Sequence, residues 1–518
     1  MLFNSYGFLF AFFPLLLVIY YACKGIAKNH GGGRRTGRFW TISPPLALLL
    51  ASLLFYGWEH PEYLPVLLGS MVVNYLLFYL MERYSGKEKK AALIVGLVFN
   101  LGLLFVFKYM DTGDFVPLGI SFFTFTQIAF LMERYRGNLK KASILSYGLY
   151  VSFFPKVMQG PIALPDELLP QFEDRGSLKD GQGGATVDWE QVYRGLYLFV
   201  LGLFKKVLIA DTLGKAADFG YANLAALNSG DALIVMLSYT LQLYFDFSGY
   251  CDMAMGIAQM IGFTLPLNFN SPYKAANIME FWNRWHMTLT RFFTKYLYIP
   301  LGGNRKGRLR TYGNCLLVFL VSGIWHGAGE QFVIWGLMHG VLFVVVRIRK
   351  DFRKDFRKDF RKDAGKDFQK KGSGSSEGNS GLLGKTGHAL SVLLTFLYVN
   401  IAWIFFRAPS VKEAVSLLKT IGSFSFGRIN WELAGSFNLD EFWYVIKVLG
   451  LDGWQYAHYI LMVLILAAVL LLVFFGRTAV SVAEKTKPGV ASALFLAVLF
   501  VWSVLSFSGV SSFLYVNF

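Results

Sequence analysis

The chain has 518 residues, of which 55% are hydrophobic, 17% aromatic and only 16% charged, and its net charge is +17. A soluble domain carries about 25% charged residues, so this chain lacks the polar surface of a cytosolic enzyme, and a disordered chain or a collagen-like fibre is excluded as well. A mean hydropathy of +0.45 and long unbroken apolar runs, without the alternation of a transmembrane barrel, indicate an all-α, polytopic membrane protein.

Residues 7–22 are apolar and are followed by Lys24, Lys28, Arg34, Arg35 and Arg38 with no small-residue cleavage site. This predicts an uncleaved first span and a cytoplasmic loop after it. Further spans are predicted near residues 48, 71, 100, 125, 150, 200, 240, 318, 336, 398, 466 and 499, or roughly 11–13 transmembrane helices at about 20 residues each. Pro117 and Gly119 mark the one near 125 as re-entrant. The loops at 23–38, 83–90 and 134–141 are basic, whereas Glu59, Glu62, Asp111 and Asp114 make the intervening loops acidic. Basic loops inside place the N-terminus outside. The positive charge is therefore that of cytoplasmic loops against membrane lipid, not of a nucleic-acid surface. Cys23, Cys251 and Cys315 are too sparse for a disulfide framework or a zinc site.

Residues 274–310 interleave Lys274, Arg284, Arg291, Lys295, Arg305, Lys306, Arg308 and Arg310 with Trp282, Trp285, Phe292, Phe293, Tyr296 and Tyr298. The pattern predicts an amphipathic helix at the cytoplasmic interface. Lys-Asp-Phe-Arg then recurs from Lys350, Lys354 and Lys358, which sets Phe352, Phe356 and Phe360 on one helical ridge, and a Gly/Ser/Asn stretch follows at 372–381. The expected organisation is a core at 1–349, a basic cytoplasmic linker at 350–387 and C-terminal membrane helices at 388–518.

Histidine is uncommon inside membranes and is a functional candidate there. His326 lies in Ser322-Gly323-Ile324-Trp325-His326-Gly327-Ala328-Gly329, where flanking glycines permit a helix break and close backbone approach. A neutral imidazole in such a setting can act as a general base, or it can be a core histidine bonded to a carbonyl. From composition alone both readings stand. His286 and His339 lie nearby in sequence, but no His-x-x-x-His or Cys pair suggests a metal site. A phosphate-binding loop and a Gly-x-Ser-x-Gly elbow are also missing, which argues against an ATPase and a conventional hydrolase.

The run Gln242-Leu243-Tyr244-Phe245-Asp246-Phe247-Ser248-Gly249-Tyr250-Cys251-Asp252-Met253-Ala254 resembles the membrane-bound O-acyltransferase family. Glu280 to Leu289, Tyr298 to Gly307, Trp325-His326-Gly327 with His339-Gly340, and upstream Pro117 to Phe123, Phe154-Pro155 and Gly160-Pro161 extend the resemblance over roughly residues 1–350. The bacterial alginate O-acetyltransferase branch is the most similar, and teichoic-acid D-alanyl transferases are near relatives. The resemblance implies a protein of the bacterial cytoplasmic (inner) membrane. Such a protein moves an acyl group, here expected to be acetyl, from a cytoplasmic thioester towards an extracytoplasmic polysaccharide. The donor would be acetyl-coenzyme A or an acyl-carrier thioester, with no permanently bound cofactor. An extracytoplasmic serine-dependent glycan O-acyltransferase is the expected partner.

His326 matches the family's near-invariant histidine and His286 its second catalytic position. A hydroxyl needs a base to attack a thioester, which His326 can supply. His286, Asn283 or Asp246 would orient the thioester or stabilise charge on its oxygen. Arg284, Trp285, Asn304, Arg305 and Trp325 complete the expected substrate-binding set, and the basic 291–310 stretch would attract an anionic donor. The Phe513-Leu514-Tyr515-Val516-Asn517-Phe518 sequence resembles that of the small partner in D-alanylation systems, which implies that Tyr515 carries the acyl group; a plain interfacial anchor is the alternative. A transporter or flippase for a glycan precursor and a non-catalytic scaffold are the competing function classes.

Overall fold

The computed structural model describes residues 1–30, 36–110, 115–176, 187–363, 382–450, 453, 454, 456–509, 513 and 514, and every regular element among them is helical. The first helices are α1 (Phe13–His30), α2 (Thr36–Gly57), α3 (Leu64–Arg83), α4 (Gly86–Tyr109) and α5 (Ile120–Arg136). A buried amide cluster fastens three of them. Asn74 donates to Asn100 Oδ1 at 3.2 Å and to Gln127 Oε1 at 2.9 Å, and Asn100 returns a bond to Asn74 at 2.6 Å. In lipid such amide bonds join helices that apolar contacts alone would not orient. The re-entrant reading of the 125 region fits α5, which opens on Gly119 at φ 68 and is buried along nearly its whole length.

The span expected near 150 is not a span. It is α6 (Ile144–Ser152) and α7 (Phe154–Val157), broken at Phe153. Pro155 cannot continue the helix, because its ring would meet the carbonyl four residues back. The freed Phe154 amide donates to Ser52 Oγ at 3.2 Å. A short helix α8 (Pro165–Gly176) follows.

The centre is built from α9 (Trp189–Phe204), a π-helical turn at Lys205–Ala210, α10 (Asp211–Ala222) and the long α11 (Ser229–Ile261). Helices α9 and α11 pack through paired glycines. A Cβ on Gly195 would lie 2.7 Å from the Gly256 carbonyl, and one on Gly202 would lie 2.6 Å from that of Gly249. Two glycine pairs a heptad apart let the backbones touch, so α11 lies inside the bundle and not against lipid.

Residues 274–310 do not form the expected interfacial helix. They fold as α12 (Ile278–Trp282), α13 (Met287–Phe293) and a π-helical turn at Thr294–Tyr298. The break falls at His286, which takes the left-handed conformation at φ 43. Trp282, Trp285, Phe292 and Phe293 are core residues here, because the break turns them into the bundle. Helices α14 (Arg308–His326), α15 (Glu330–Asp363) and α16 (Leu382–Arg407) follow. The boundaries expected at 349 and 387 fall inside α15 and α16. The first Lys-Asp-Phe-Arg repeats simply lengthen α15; residues 364–381 lie outside the described ones. The chain continues through α17 (Val411–Gly422), α18 (Trp431–Gly435), α19 (Asp440–Val448), α20 (Ala457–Phe475), α21 (Ala479–Lys485) and α22 (Val490–Leu505).

Among the described residues, six segments are long and apolar enough to cross a bilayer: Phe8–Asn29, Pro61–Arg83, Gly86–Tyr109, Glu330–Asp355, Gly384–Arg407 and Ala457–Phe475. Their outward faces carry exposed Val18, Val72, Val98, Val345, Leu393 and Leu464, as lipid contact requires. The chain is a multi-pass membrane protein.

Candidate active site

His326 ends α14 and is buried among rings: Trp325 at 4.5 Å, Phe406 at 4.9 Å and Trp335 at 5.0 Å between centroids. The last carbonyls of a helix have no partner within it. Here α4 supplies them. Lys108 Nζ donates to the Trp325 carbonyl and Tyr109 Oη to that of Ile324. Lys108 also lies 5.1 Å from the Trp325 ring centroid, and Phe125 packs on that ring at 5.3 Å. The helix end that carries His326 is thus fixed from outside.

The left-handed turn at His286 aims its ring inward, 4.8 Å edge-to-face from Phe247. Asn268 orients it. Asn268 Oδ1 lies 3.1 Å from His286 Nδ1 and accepts from the Thr288 amide at 3.2 Å and the Thr288 hydroxyl at 2.8 Å. An atom that accepts from a backbone N–H is the oxygen, so the facing Nδ1 is the donor. In the neutral ring Nε2 is then the basic nitrogen. Trp335 stacks on Trp403 at 5.7 Å and Trp403 packs on Trp285 at 5.0 Å, so an aromatic wall joins the two histidine segments. His339 stands behind it, fully buried, with its ring 5.0 Å from that of Trp335.

A cavity of about 230 Å³ runs along α14 past Cys315, Phe319 and Ser322, with Trp282, Asn283 and Arg347 among its other walls. Those three α14 positions share a face with His326, which stands one turn beyond Ser322. A second cavity of about 380 Å³ adjoins it across Asn283, Thr290 and Thr294. Of the expected substrate-binding residues, Asn283 lines both. Asn304 is exposed and accepts from Arg347 at 2.9 Å and from Tyr298, which hold the outer wall of the first cavity. Arg305 is exposed, Trp285 is core, and Arg284 is bound to Glu280 at 2.7 Å. The basic stretch is only partly available to a donor. Arg291 pairs with Glu167, and Lys295 with Glu133 at 3.3 Å.

Asp246 is not open to a thioester. Its Oδ1 accepts from Lys206 at 2.8 Å and its Oδ2 from the backbone amide of Leu514 at 3.0 Å. Tyr515, the next residue, lies outside the described residues. Sequence reasoning missed Asn268, Lys108, Lys206 and the Trp335–Trp403–Phe406 wall. A signal for Asn268 existed in Leu267-Asn268-Phe269-Asn270, a polar residue between apolar ones; the others come from distant helices.

The fold is that of a polytopic helical membrane protein, and it holds two buried histidines whose segments an aromatic wall joins beside a cavity. The sequence pattern described as MBOAT, membrane-bound O-acyltransferase family, matches residues 53–364, and the chain belongs to that family. It is similar to the peptidoglycan O-acetyltransferase of Helicobacter pylori, 39% identical over 81% of this chain and 79% of the relative. It is also similar to the probable alginate O-acetylase AlgI of Pseudomonas aeruginosa, 34% identical over 84% and 76%. The teichoic acid D-alanyltransferase of Bacillus subtilis is 32% identical over 43% of this chain and 57% of its own. The chain is an O-acyltransferase; the transporter and scaffold readings give way.

Proposed function

We propose that the protein transfers an acyl group, preferentially acetyl, from a cytoplasmic thioester to an extracytoplasmic glycan of a bacterial envelope. The observation that carries this reading is the aromatic wall, Trp335 on Trp403 and Trp403 on Trp285, that joins the buried His326 and His286 segments beside a cavity that follows α14 from its basic end. From Cys315 to His326 the helix rises roughly 16 Å, along walls that are mainly apolar and suit the extended arm of coenzyme A or an acyl-carrier protein. The relatives' acceptors, peptidoglycan, alginate and teichoic acid, are all envelope or secreted polymers, which supports a glycan acceptor outside the bacterial inner membrane that would hold the protein. An extracytoplasmic serine-dependent transferase would be the partner.

The chemistry runs in two balanced steps. A phenol is protonated at neutral pH, so Tyr515 needs a base. His326 takes the phenol proton as the Tyr515 oxygen bonds to the thioester carbonyl carbon. The C–S bond breaks, and the proton passes to the departing thiolate. The aryl ester then meets a serine or sugar hydroxyl, whose oxygen bonds to the acyl carbon. The bond to the tyrosine oxygen breaks and that oxygen recovers the hydroxyl's proton. The docking of Leu514 on Asp246 of α11, the helix whose Phe247 touches His286, supports a tyrosine that can reach the centre.

Mass spectrometry of envelope glycans tests the reading. Cells carrying His326→Ala should lose the acyl modification while the protein stays at normal membrane abundance, and His286→Ala should reduce it less completely. Tyr515→Phe keeps the ring and removes only the nucleophile, so it too should abolish acylation. Near wild-type acylation by His326→Ala would refute the base assignment, and by Tyr515→Phe the relay.

A further inference from the structure

Asp246 belongs to an ion-pair cluster that the acyl-transfer chemistry does not use directly. Lys206, with no exposed side-chain surface, lies 2.7 Å from Asp211 and 2.8 Å from Asp246. The π-helical turn at Lys205–Ala210 sets two consecutive lysines against two acids of α11, because Lys205 pairs with Asp252 at 2.5 Å. Such turns inside helices recur at functional sites. Two carboxylates flank the Lys206 ammonium, and a buried ion cluster is held best where further donors reach it.

One such donor comes from more than 250 residues away, as the Leu514 amide on Asp246. Phe513 is wholly buried beside it. Lys206 Nζ lies 4.6 Å from the Phe513 ring centroid, and Tyr250 meets that ring edge-on at 5.0 Å. Three kinds of contact therefore converge on two residues of the segment after α22: a charge-assisted hydrogen bond, a cation over a ring and an aromatic edge. The socket lies on α11, the helix whose Phe247 packs on His286.

We propose that Asp246 and Lys206 form a docking socket for the chain's own C-terminal segment and act as positioning residues for acyl transfer. The inference rests on the Tyr515 relay for its purpose. The docking itself rests only on the contacts of Phe513 and Leu514. The contacts that define the socket are the Phe513 ring and the Leu514 N–H, while the Leu514 side chain is only partly buried against the core.

The test uses the full chain in membranes, with Cys23→Ser and Leu514→Cys as the labelling site; Cys251 and Cys315 are buried. A membrane-impermeant maleimide reports docking without reference to chemistry. In the Asp246→Asn background one acceptor oxygen must serve both Lys206 and the Leu514 amide, so labelling should speed up roughly tenfold, the scale of a lost charge-assisted bond. Unchanged labelling overturns the socket. Leu514→Pro removes the amide hydrogen and leaves the buried ion pairs intact, and Leu514→Ala keeps it. Leu514→Pro should lower acyl-peptide formation at the C-terminal segment by roughly tenfold or more, with Leu514→Ala near wild type. Equal acylation by the two also overturns the proposal. If Tyr515→Phe acylates glycan fully while Asp246→Asn still exposes residue 514, the relay fails and the docking stands. If Tyr515→Phe is inactive while Asp246→Asn changes neither labelling nor acylation, the relay stands and the socket fails.

Discussion

His286 depends on Asn268, a residue whose single oxygen serves an imidazole, a backbone amide and a hydroxyl. Its own amide nitrogen donates to Cys251 at 3.2 Å, which ties the group to α11. Asn268→Ala would leave the Thr288 amide unpaired and free the His286 ring to turn over. A buried donor left without a partner costs about 1–3 kcal/mol, so acyl transfer should fall by roughly tenfold or more. Asn268→Asp keeps the acceptor oxygen and should retain more activity than Asn268→Ala. Side-by-side initial rates with purified enzyme and acetyl-coenzyme A check the order, and equal rates for the two variants would exclude an orienting role for the oxygen.

At the scale of elements, the position of His326 follows from how closely α14 can approach α15. A Cβ on Gly323 would lie 2.4 Å from the Phe332 carbonyl, and one on Gly336 2.5 Å from that of Phe319. Both obstacles are backbone and cannot swing aside. Gly323→Ala and Gly336→Ala should each push the helices apart, destabilise the fold by about 1–3 kcal/mol and displace His326 from its ring cage. Gly313 sits on the same helix with open space around it. Gly313→Ala should be neutral or slightly stabilising, since alanine favours helix by roughly 0.5–1 kcal/mol over glycine. Thermal unfolding in detergent, followed by activity at a permissive temperature, separates the three. A Gly323→Ala protein as stable and active as Gly313→Ala would show that the packing does not set the site.

For the whole molecule, much of the positive charge expected to face a donor in residues 274–310 is already paired. Arg284, Arg291 and Lys295 are bound to carboxylates, and Arg308 pairs with Asp355 at 2.6 Å. Arg305 and Lys306 remain exposed beside Asn304, at the end of the bundle where the α14 cavity begins. An anionic donor would meet these first. Arg305→Glu with Lys306→Glu should raise the apparent donor KM severalfold and change kcat less, as lost ground-state attraction does. Added salt should act weakly in the same direction, because exposed charges lose reach beyond about 10 Å at 0.1 M ionic strength. Steady-state kinetics across donor concentration decide it, and a KM unmoved by the double reversal would count against donor capture there.

Apolar run length was sufficient to specify a helical membrane bundle, because a backbone in lipid must bond to itself. Ordered short motifs were sufficient for the family, and a histidine flanked by glycines was visible as a candidate centre. Run length could not tell a lipid-facing span from a buried one. It took α6 and α7 for one helix and gave α11 no special place, since both kinds of segment are equally apolar. Charge pattern failed likewise at 274–310, where a left-handed His286 turns aromatic residues from an interface into a core. The contacts that make the site come from far apart in the chain: Lys108 on the helix end of His326, Asn268 on His286, and Leu514 on Asp246. None has a local signature, because a hydrogen bond between distant segments depends on where the helices pack, and only the tertiary structure decides that.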